Sequence, residues 1–310
     1  MRSLLEQHIV EPAAISDPSP EMAQAARQLA PDATIAASFD ELLEQDLDGL
    51  VIATPSALHA EQSIRALERG IAVFCQKPLG RSKAEANAVI AAAQAADRAL
   101  GVDLSYRYTK GMQQVRSLVH DGALGQVFAA DLVFHNAYGP DKPWFFDKAL
   151  SGGGCLMDLG VHLVDLALWT LDFPEVQSAS GHLFSQGKPI ARDGNMVEDF
   201  ASATITLTNG SVVRITTSWH LHAGCDAVIS ADFYGTKGGA SFANGNGSFF
   251  DFSARHNTGT QSVVLTQPPD DWSGRALIDW AAGLADGGRY NEQAREFAVV
   301  SDVLDRIYAR

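Results

Sequence analysis

Short apolar runs alternate with helix-length amphipathic segments through the first hundred residues of the chain. Residues 10–16, 34–36, 50–53, 71–75 and 101–104 read as strands. Residues 21–30, 58–69 and 82–100 read as helices between them. Ser38-Phe39-Asp40-Glu41 is a capping box, in which serine and glutamate satisfy each other's end of a helix start. Strands separated by helix-length segments are the sequence signature of right-handed βαβ units on a parallel sheet. The first 104 residues are therefore expected to form a Rossmann-type domain.

The rhythm changes near residue 105. Residues 110–120 read as a helix and 126–135 as an alternating strand, followed by an apolar helix at 155–171 opened by Gly152-Gly153-Gly154. Strands then dominate at 200–206, 212–219 and 227–233, with Thr208-Asn209-Gly210 as a hairpin turn. Helices near 276–285 and 291–308 close the chain. Residues 105–310 are expected to form an α+β domain with a large open antiparallel sheet. A bare apolar face on such a sheet would require a cover.

Charge and composition remove several function classes. Lysine plus arginine total 23 and aspartate plus glutamate 37, a formal net charge of −14. That balance argues against nucleic acid as a partner, which needs basic surface for counterion release, and against anionic lipid. No stretch reaches the ~20 apolar residues of a membrane helix. The N-terminal residues lack a secretory pattern. Three scattered cysteines, Cys75, Cys155 and Cys225, fit a reducing cytoplasm.

Within the apolar 155–171 helix, Asp158, His162 and Asp165 stand at i, i+4 and i+7, one stripe of an α-helix. Polar groups buried there need partners or a use. An aspartate one turn from a histidine is a general-base arrangement; the alternative is a buried hydrogen bond that closes a helix start. Lys77 follows the 71–75 strand, at the strand end where open parallel sheets bind ligands, and Pro78 restricts its geometry; the alternative is a surface turn lysine. Asp17, after the first strand, stands where an acidic residue bonds adenosine ribose hydroxyls and disfavours a 2′-phosphate; alone, it reads better as a turn aspartate.

Together, Val51-Ile52-Ala53-Thr54-Pro55, His59, Cys75-Gln76-Lys77-Pro78-Leu79, Gly153-Gly154, Asp158-Leu159-Gly160-Val161-His162 and Asp165 resemble the Gfo/Idh/MocA oxidoreductases. The resemblance runs through nearly the whole chain. It implies that Lys77 hydrogen-bonds the reacting hydroxyl, Asp158 positions a sugar or cyclitol, and His162 takes the alcohol proton while hydride leaves for nicotinamide. It places Asp17, Thr54, Pro55, His59, Gln76 and Lys77 along the cofactor groove and suggests a cis bond before Pro78. Tyr106-Arg107-Tyr108 resembles the crossover into the second domain.

Two departures stand out. Gln76 occupies the position of the family's usual glutamate. The family also opens on a strand and a G-x-G-x-x-G turn that seats pyrophosphate on a helix N-terminus, and no such motif lies near Met1. Residues 1–7 match the later part of the first helix and residues 10–17 the second strand. The expectation is a chain that starts about 15–25 residues inside the family pattern, as a start codon assigned too late would produce.

Other candidates carry less. His220 and His222 would share one face of a strand, but no third ligand is apparent, so no metal is expected. Trp144 opens an aromatic run that either walls a substrate cleft or anchors a loop. With Tyr106, Asp165 and His220 it completes the expected substrate lining. Cys155 reads as an inert buried thiol.

The expected function is hydride transfer between a secondary alcohol of a sugar, cyclitol or related polyol and NAD, with NADP less favoured. The expected location is the cytoplasm, and the resemblance suggests a homo-oligomer through the open sheet face. Two alternatives are a non-catalytic cofactor- or sugar-sensing regulator, and a lyase or glycosidase using tightly held NAD transiently.

Overall fold

The computed structural model describes residues 2–191 and 194–309. Five short parallel strands form the first part: β1 (Ala14–Ile15), β2 (Thr34–Ile35), β3 (Gly49–Ile52), β4 (Ala72–Cys75) and β5 (Leu100–Val102). They fall into two groups, β1-β2 and β3-β4-β5, with no ladder between the groups. In the doubly wound order 3-2-1-4-5-6 these are the 3-2 pair and the 4-5-6 trio. Every residue of β4 is buried, as a central parallel strand requires.

The helices between the strands begin where side chains satisfy free backbone N–H groups. Ser19, Ser38 and Ser82 accept from the N–H groups of Met22, Glu41 and Glu85. Pro20 sits in the first turn of Pro20–Leu29, where its missing N–H costs nothing. The alanine-rich Lys83–Ala96 ends on Asp97 in the left-handed region.

The second part is a nine-stranded sheet. Its strands are β6 (Val127–Asn136), β7 (Val176–Ser185), β8 (Lys188–Pro189), β9 (Phe200–Leu207), β10 (Val212–Ser218), β11 (Ala227–Gly235), β12 (Gly239–Asn244), β13 (Phe252–Thr258) and β14 (Gln261–Thr266). The spatial order is β14-β13-β12-β11-β6-β10-β9-β7-β8. The sheet is mixed, not purely antiparallel: β10 runs parallel to β6 because the long connection through the site helix brings the chain back in the same direction.

Helices Lys110–His120, Val161–Thr170 and Arg295–Tyr308 pack on one face, where Leu132, Ile205, Val213, Ile215 and Phe233 are almost fully buried. The other face is not the bare apolar surface expected. Asp232, Asp131 and Arg214 lie side by side across β11, β6 and β10, and Arg214 binds Asp131 through Nε and Nη2, both at 2.6 Å. Ser202, Thr204 and Thr216 continue that polar face. The strand alternation that buries one face in helices leaves the other mixed, with Val133, Val228 and Phe200 among the polar side chains.

The closing helices also cover the first part. Trp280 packs on Phe74, ring centroids 5.7 Å apart. Ala298 joins the core of the parallel sheet. The Lys83 backbone N–H donates to Asp305 Oδ2, and its Nζ to Asp302 Oδ1. The two parts therefore meet along one face, with the strand ends β3–β5 turned toward the buried helix of the second.

Candidate active site

The chain leaves β4 at Cys75 and runs directly into Gln76-Lys77-Pro78. The Lys77–Pro78 peptide bond is cis. Lys77 Nζ then reaches the second part, donating to Asp158 Oδ1 at 2.5 Å and to the Asp158 carbonyl at 2.7 Å. The other carboxylate oxygen, Oδ2, accepts from Trp219 Nε1 at 3.1 Å. Both partners of the ion pair keep some solvent contact, at 18% and 14% side-chain exposure, so the pair is held without being sealed.

The helix carrying Asp158 is not one regular α-helix. Leu156–Gly160 is π-helical and Val161–Thr170 α-helical. The wider π turn alters the i, i+4 relation, and the Asp158 carboxylate serves Lys77 and Trp219; it does not orient His162. The His162 ring packs edge-on against Tyr106, centroids 5.0 Å apart, and its Nδ1 is buried with no hydrogen-bond partner among the described residues. Burial, reinforced by the charge of Lys77, holds its pKa well below the usual histidine value. Both influences favour the neutral form of the ring.

The glycine run is required by close approach. A Cβ on Gly154 would lie 1.9 Å from the Glu198 carbonyl oxygen, and one on Gly153 2.1 Å from the Tyr308 hydroxyl. Buried Glu198 closes the start of the site helix, accepting from the Gly154 and Leu156 N–H groups and from the Tyr308 hydroxyl. The last residues of the chain thus brace the segment that presents Asp158.

On the parallel sheet, Thr54 and Pro55 follow β3 and precede helix Ser56–Glu68. Thr54 Oγ1 bonds Gln62 Oε1 at 2.7 Å. His59 is fully buried and does not line a groove. Its ring nitrogens lie 2.6 Å from the Pro78 carbonyl oxygen and 2.7 Å from that of Thr54, tying the two strand-end segments together. Burial lowers its pKa while the two carbonyls pull the other way. Gln76 Nε2 donates to Asp103 Oδ2 at 2.8 Å. Burial raises the Asp103 carboxyl, against that bond and the charge of Lys77. The amide at position 76 suits this partner; a carboxylate there would face a second carboxylate.

Several expected site residues lie elsewhere. Asp165 does not line a pocket: it is 1% exposed and bound by Arg107 through Nε at 2.8 Å and Nη2 at 2.5 Å, while Arg107 Nη1 binds Glu296. Asp17 accepts from the Ser19 N–H in an exposed turn after β1. Trp144 stacks on Phe145, whereas Phe146 packs against Trp219 at 5.7 Å. Tyr106 is buried among His162, Phe134, Phe252 and Trp272. The strand expected to carry both His220 and His222 stops at Ser218, because His220 takes φ +56. The imidazoles therefore share no strand face. His220 instead borders a cavity with Phe146 and Trp219. Trp219, Asp103 and Glu198 were not singled out from sequence. The position of Trp219 just beyond an alternating strand was the available signal.

Two family profiles match the chain. One, described as an oxidoreductase family with an NAD-binding Rossmann fold, covers residues 1–104; the other, a GFO/IDH/MocA C-terminal domain, covers residues 112–241. The chain belongs to the Gfo/Idh/MocA oxidoreductase family. D-Glucoside 3-dehydrogenase of Escherichia coli (strain K12) is 30% identical over 210 residues, 64% of this chain and 60% of that protein. The aligned part thus spans less than two thirds of that relative. Levoglucosan dehydrogenase, solved with NADH and levoglucosan, superposes with a TM-score of 0.80 at 21% identity, covering 96% of this chain and 87% of that one. KijD10, a 3-ketoreductase from Actinomadura kijaniata solved with NADP and TDP-benzene, gives 0.83 at 19% identity, covering 99% and 91%. At these identities the structural likeness establishes the shared fold: a Rossmann-like parallel sheet followed by a large mixed sheet.

Proposed function

We propose that this family member transfers hydride between a secondary alcohol of a sugar, cyclitol or related polyol and the nicotinamide of NAD. The observation that carries the reading is the meeting of Lys77, from the end of a parallel strand, with Asp158 on the segment that also carries the buried His162. An ammonium, a carboxylate and a proton-accepting ring are the groups alcohol oxidation requires. The named substrates of D-glucoside 3-dehydrogenase and levoglucosan dehydrogenase support a sugar.

The residues present fit the nicotinamide end of a dinucleotide. Thr54, Pro55 and Gln76 stand at the carboxyl ends of β3 and β4, where open parallel sheets bind ligands, and His162 Nδ1 has no partner among the described residues. When bound, the nicotinamide supplies the hydride acceptor. Lys77 donates a hydrogen bond to the reacting oxygen and favours its developing negative charge. His162 takes the hydroxyl proton as the carbon–oxygen double bond forms and hydride leaves the same carbon. Asp158 fixes the Lys77 ammonium and accepts from a neighbouring sugar hydroxyl. In the reductive direction each step reverses.

NAD over NADP rests on Asp17, whose carboxylate at the end of β1 would accept from ribose hydroxyls and repel a 2′-phosphate. The three free thiols favour a cytoplasmic setting. The open sheet face, with its row of Asp232, Asp131 and Arg214, is the proposed surface for a homo-oligomer.

The test is steady-state oxidation of sugars by the purified chain with NAD, alongside Lys77→Met and His162→Ala. Loss of about 10²–10⁴-fold in kcat/KM with unchanged circular dichroism is expected. Near-wild-type rates in both variants would overturn the assignment. Retained cofactor with no net redox would point to a lyase or glycosidase instead.

A further inference from the structure

Trp219 connects the Lys77–Asp158 site to a second space. Its indole Nε1 donates to Asp158 Oδ2, and the same residue lines a cavity of about 430 Å³ with Phe146, Gln186, Glu198, Asp199 and His220. That volume lies within the range of small-molecule pockets, roughly 300–1,000 Å³. The cavity is therefore one side chain away from the carboxylate that would position the reacting sugar.

The lining has a definite chemistry. Phe146 and Trp219 pack at 5.7 Å and 63°, so two aromatic surfaces meet at one wall. Phe146 is 48% exposed although it is large and apolar, a cost that contact with a ligand would offset. Asp199 is fixed by backbone bonds: the Trp219 N–H donates to its carbonyl at 2.7 Å, and the Gln186 N–H to its Oδ2, also at 2.7 Å. Its Oδ1 has no hydrogen-bond partner among the described residues. Glu198 adds a second carboxyl, already engaged by Gly154, Leu156 and Tyr308. Among the described residues lining the cavity there is no lysine or arginine. Aromatic faces next to a free carboxylate oxygen suit a ring with C–H faces and hydroxyl or ammonium donors. They oppose an added anion, because the described lining holds carboxylates and no cation to neutralise it.

We propose that this cavity is a second subsite, taking the group glycosidically linked to the reacting sugar: an aromatic aglycone or a second neutral or amino-bearing ring, and not a phosphate. The proposal rests on the sugar reading of the Lys77–Asp158 site and deepens it by naming the substrate class. The reacting ring sits at Lys77, Asp158 and His162, and the linked group passes Trp219 to rest against Phe146 beside Asp199.

The experiment measures kcat/KM of the full chain with NAD for methyl glucoside, phenyl glucoside and glucose 1-phosphate, which differ only in the group on the anomeric oxygen. Phenyl glucoside is expected to exceed methyl glucoside by about fivefold or more, and glucose 1-phosphate to fall below methyl glucoside by about tenfold. Phe146→Ala should reduce the phenyl-to-methyl ratio toward one. Asp199→Asn keeps an acceptor for the Gln186 N–H and should narrow the gap to glucose 1-phosphate several-fold. Ratios unchanged in both variants would overturn the subsite while leaving the redox assignment standing. If no sugar is turned over, the redox reading fails, and calorimetric binding of phenyl glucoside decides the cavity separately. Weaker binding to Phe146→Ala than to wild type would then support the subsite; equal or absent binding would overturn it.

Discussion

Lys77 Nζ, carried at the end of β4, lies 2.5 Å from Asp158 Oδ1 on the π-helical turn of the second part. This contact spans 81 residues of sequence and joins the two halves of the molecule at the point where their chemistry meets. Replacing Lys77 with methionine leaves Asp158 with Trp219 as its remaining side-chain donor. Because both charges retain solvent contact, the destabilisation should be smaller than the ~3–5 kcal/mol of a fully buried pair. Urea denaturation should therefore show a modest loss, with turnover falling far more steeply than stability.

His162 makes a prediction about pH. Its folded-state pKa is lowered well below 6.5, first by burial and then by Lys77. Below pH 6.5 the unfolded chain takes up a proton that the folded state refuses, so this residue costs stability as pH falls from 6.5 toward the folded value. His59 and His135 are shifted the same way, so the difference between wild type and His162→Gln isolates the effect. Denaturation midpoints from pH 7.5 to 5 should fall less in the variant than in wild type. An identical pH slope would show that the folded ring takes up its proton as readily as the unfolded one, contradicting the lowered pKa.

The Arg107–Asp165–Glu296 cluster joins the crossover after β5 to the site helix and the last helix. Asp165→Asn removes a partner from a largely buried guanidinium, which also packs over Trp169 and Phe173. A loss of about 3 kcal/mol is expected, readable by denaturant unfolding. The folded fraction should keep near-normal kcat, since the Asp165 carboxylate is spent on Arg107. A fall in kcat with stability unchanged would return Asp165 to the substrate site.

The glycine run can be tested by a single methyl group. Gly154→Ala forces a Cβ against the Glu198 carbonyl oxygen, and backbone on both sides leaves little room to yield. The expected cost is at the upper end of overpacking, about 3 kcal/mol, measured as a lowered Tm. Gly187→Ala is the spatial control: nothing lies within 4 Å of a Cβ there, although φ +73 adds backbone strain. It should lose about 1 kcal/mol.

Much of this arrangement is legible in the sequence, for physical reasons. Periodicity marks the βαβ alternation because buried parallel strands must be apolar runs, and Lys77 stands out as a charge immediately after one. Asp158 and His162 stand out because carboxylate and imidazole are costly in an apolar helix. Their individual partners are less legible. A π turn inserts no signal that the hydrophobic pattern reveals, so an α-helical stripe paired Asp158 with His162, whereas the fold pairs it with Lys77 and Trp219. Asp165 met Arg107 across 58 residues, a tertiary contact that spacing cannot show. The polar open face follows from strand alternation, but Asp131, Arg214 and Asp232 become one row only once the register of three strands is known.

The central claim is that Lys77, Asp158 and His162 oxidise a sugar alcohol by hydride transfer to nicotinamide. The most direct measurement follows deuterium from the carbinol carbon of a labelled glucoside. With wild-type chain and NAD, the label should appear in the reduced nicotinamide, one equivalent per keto sugar formed, and Lys77→Met should leave it in the unreacted glucoside. Label released to water, or a keto sugar formed without labelled reduced nicotinamide, would contradict the account.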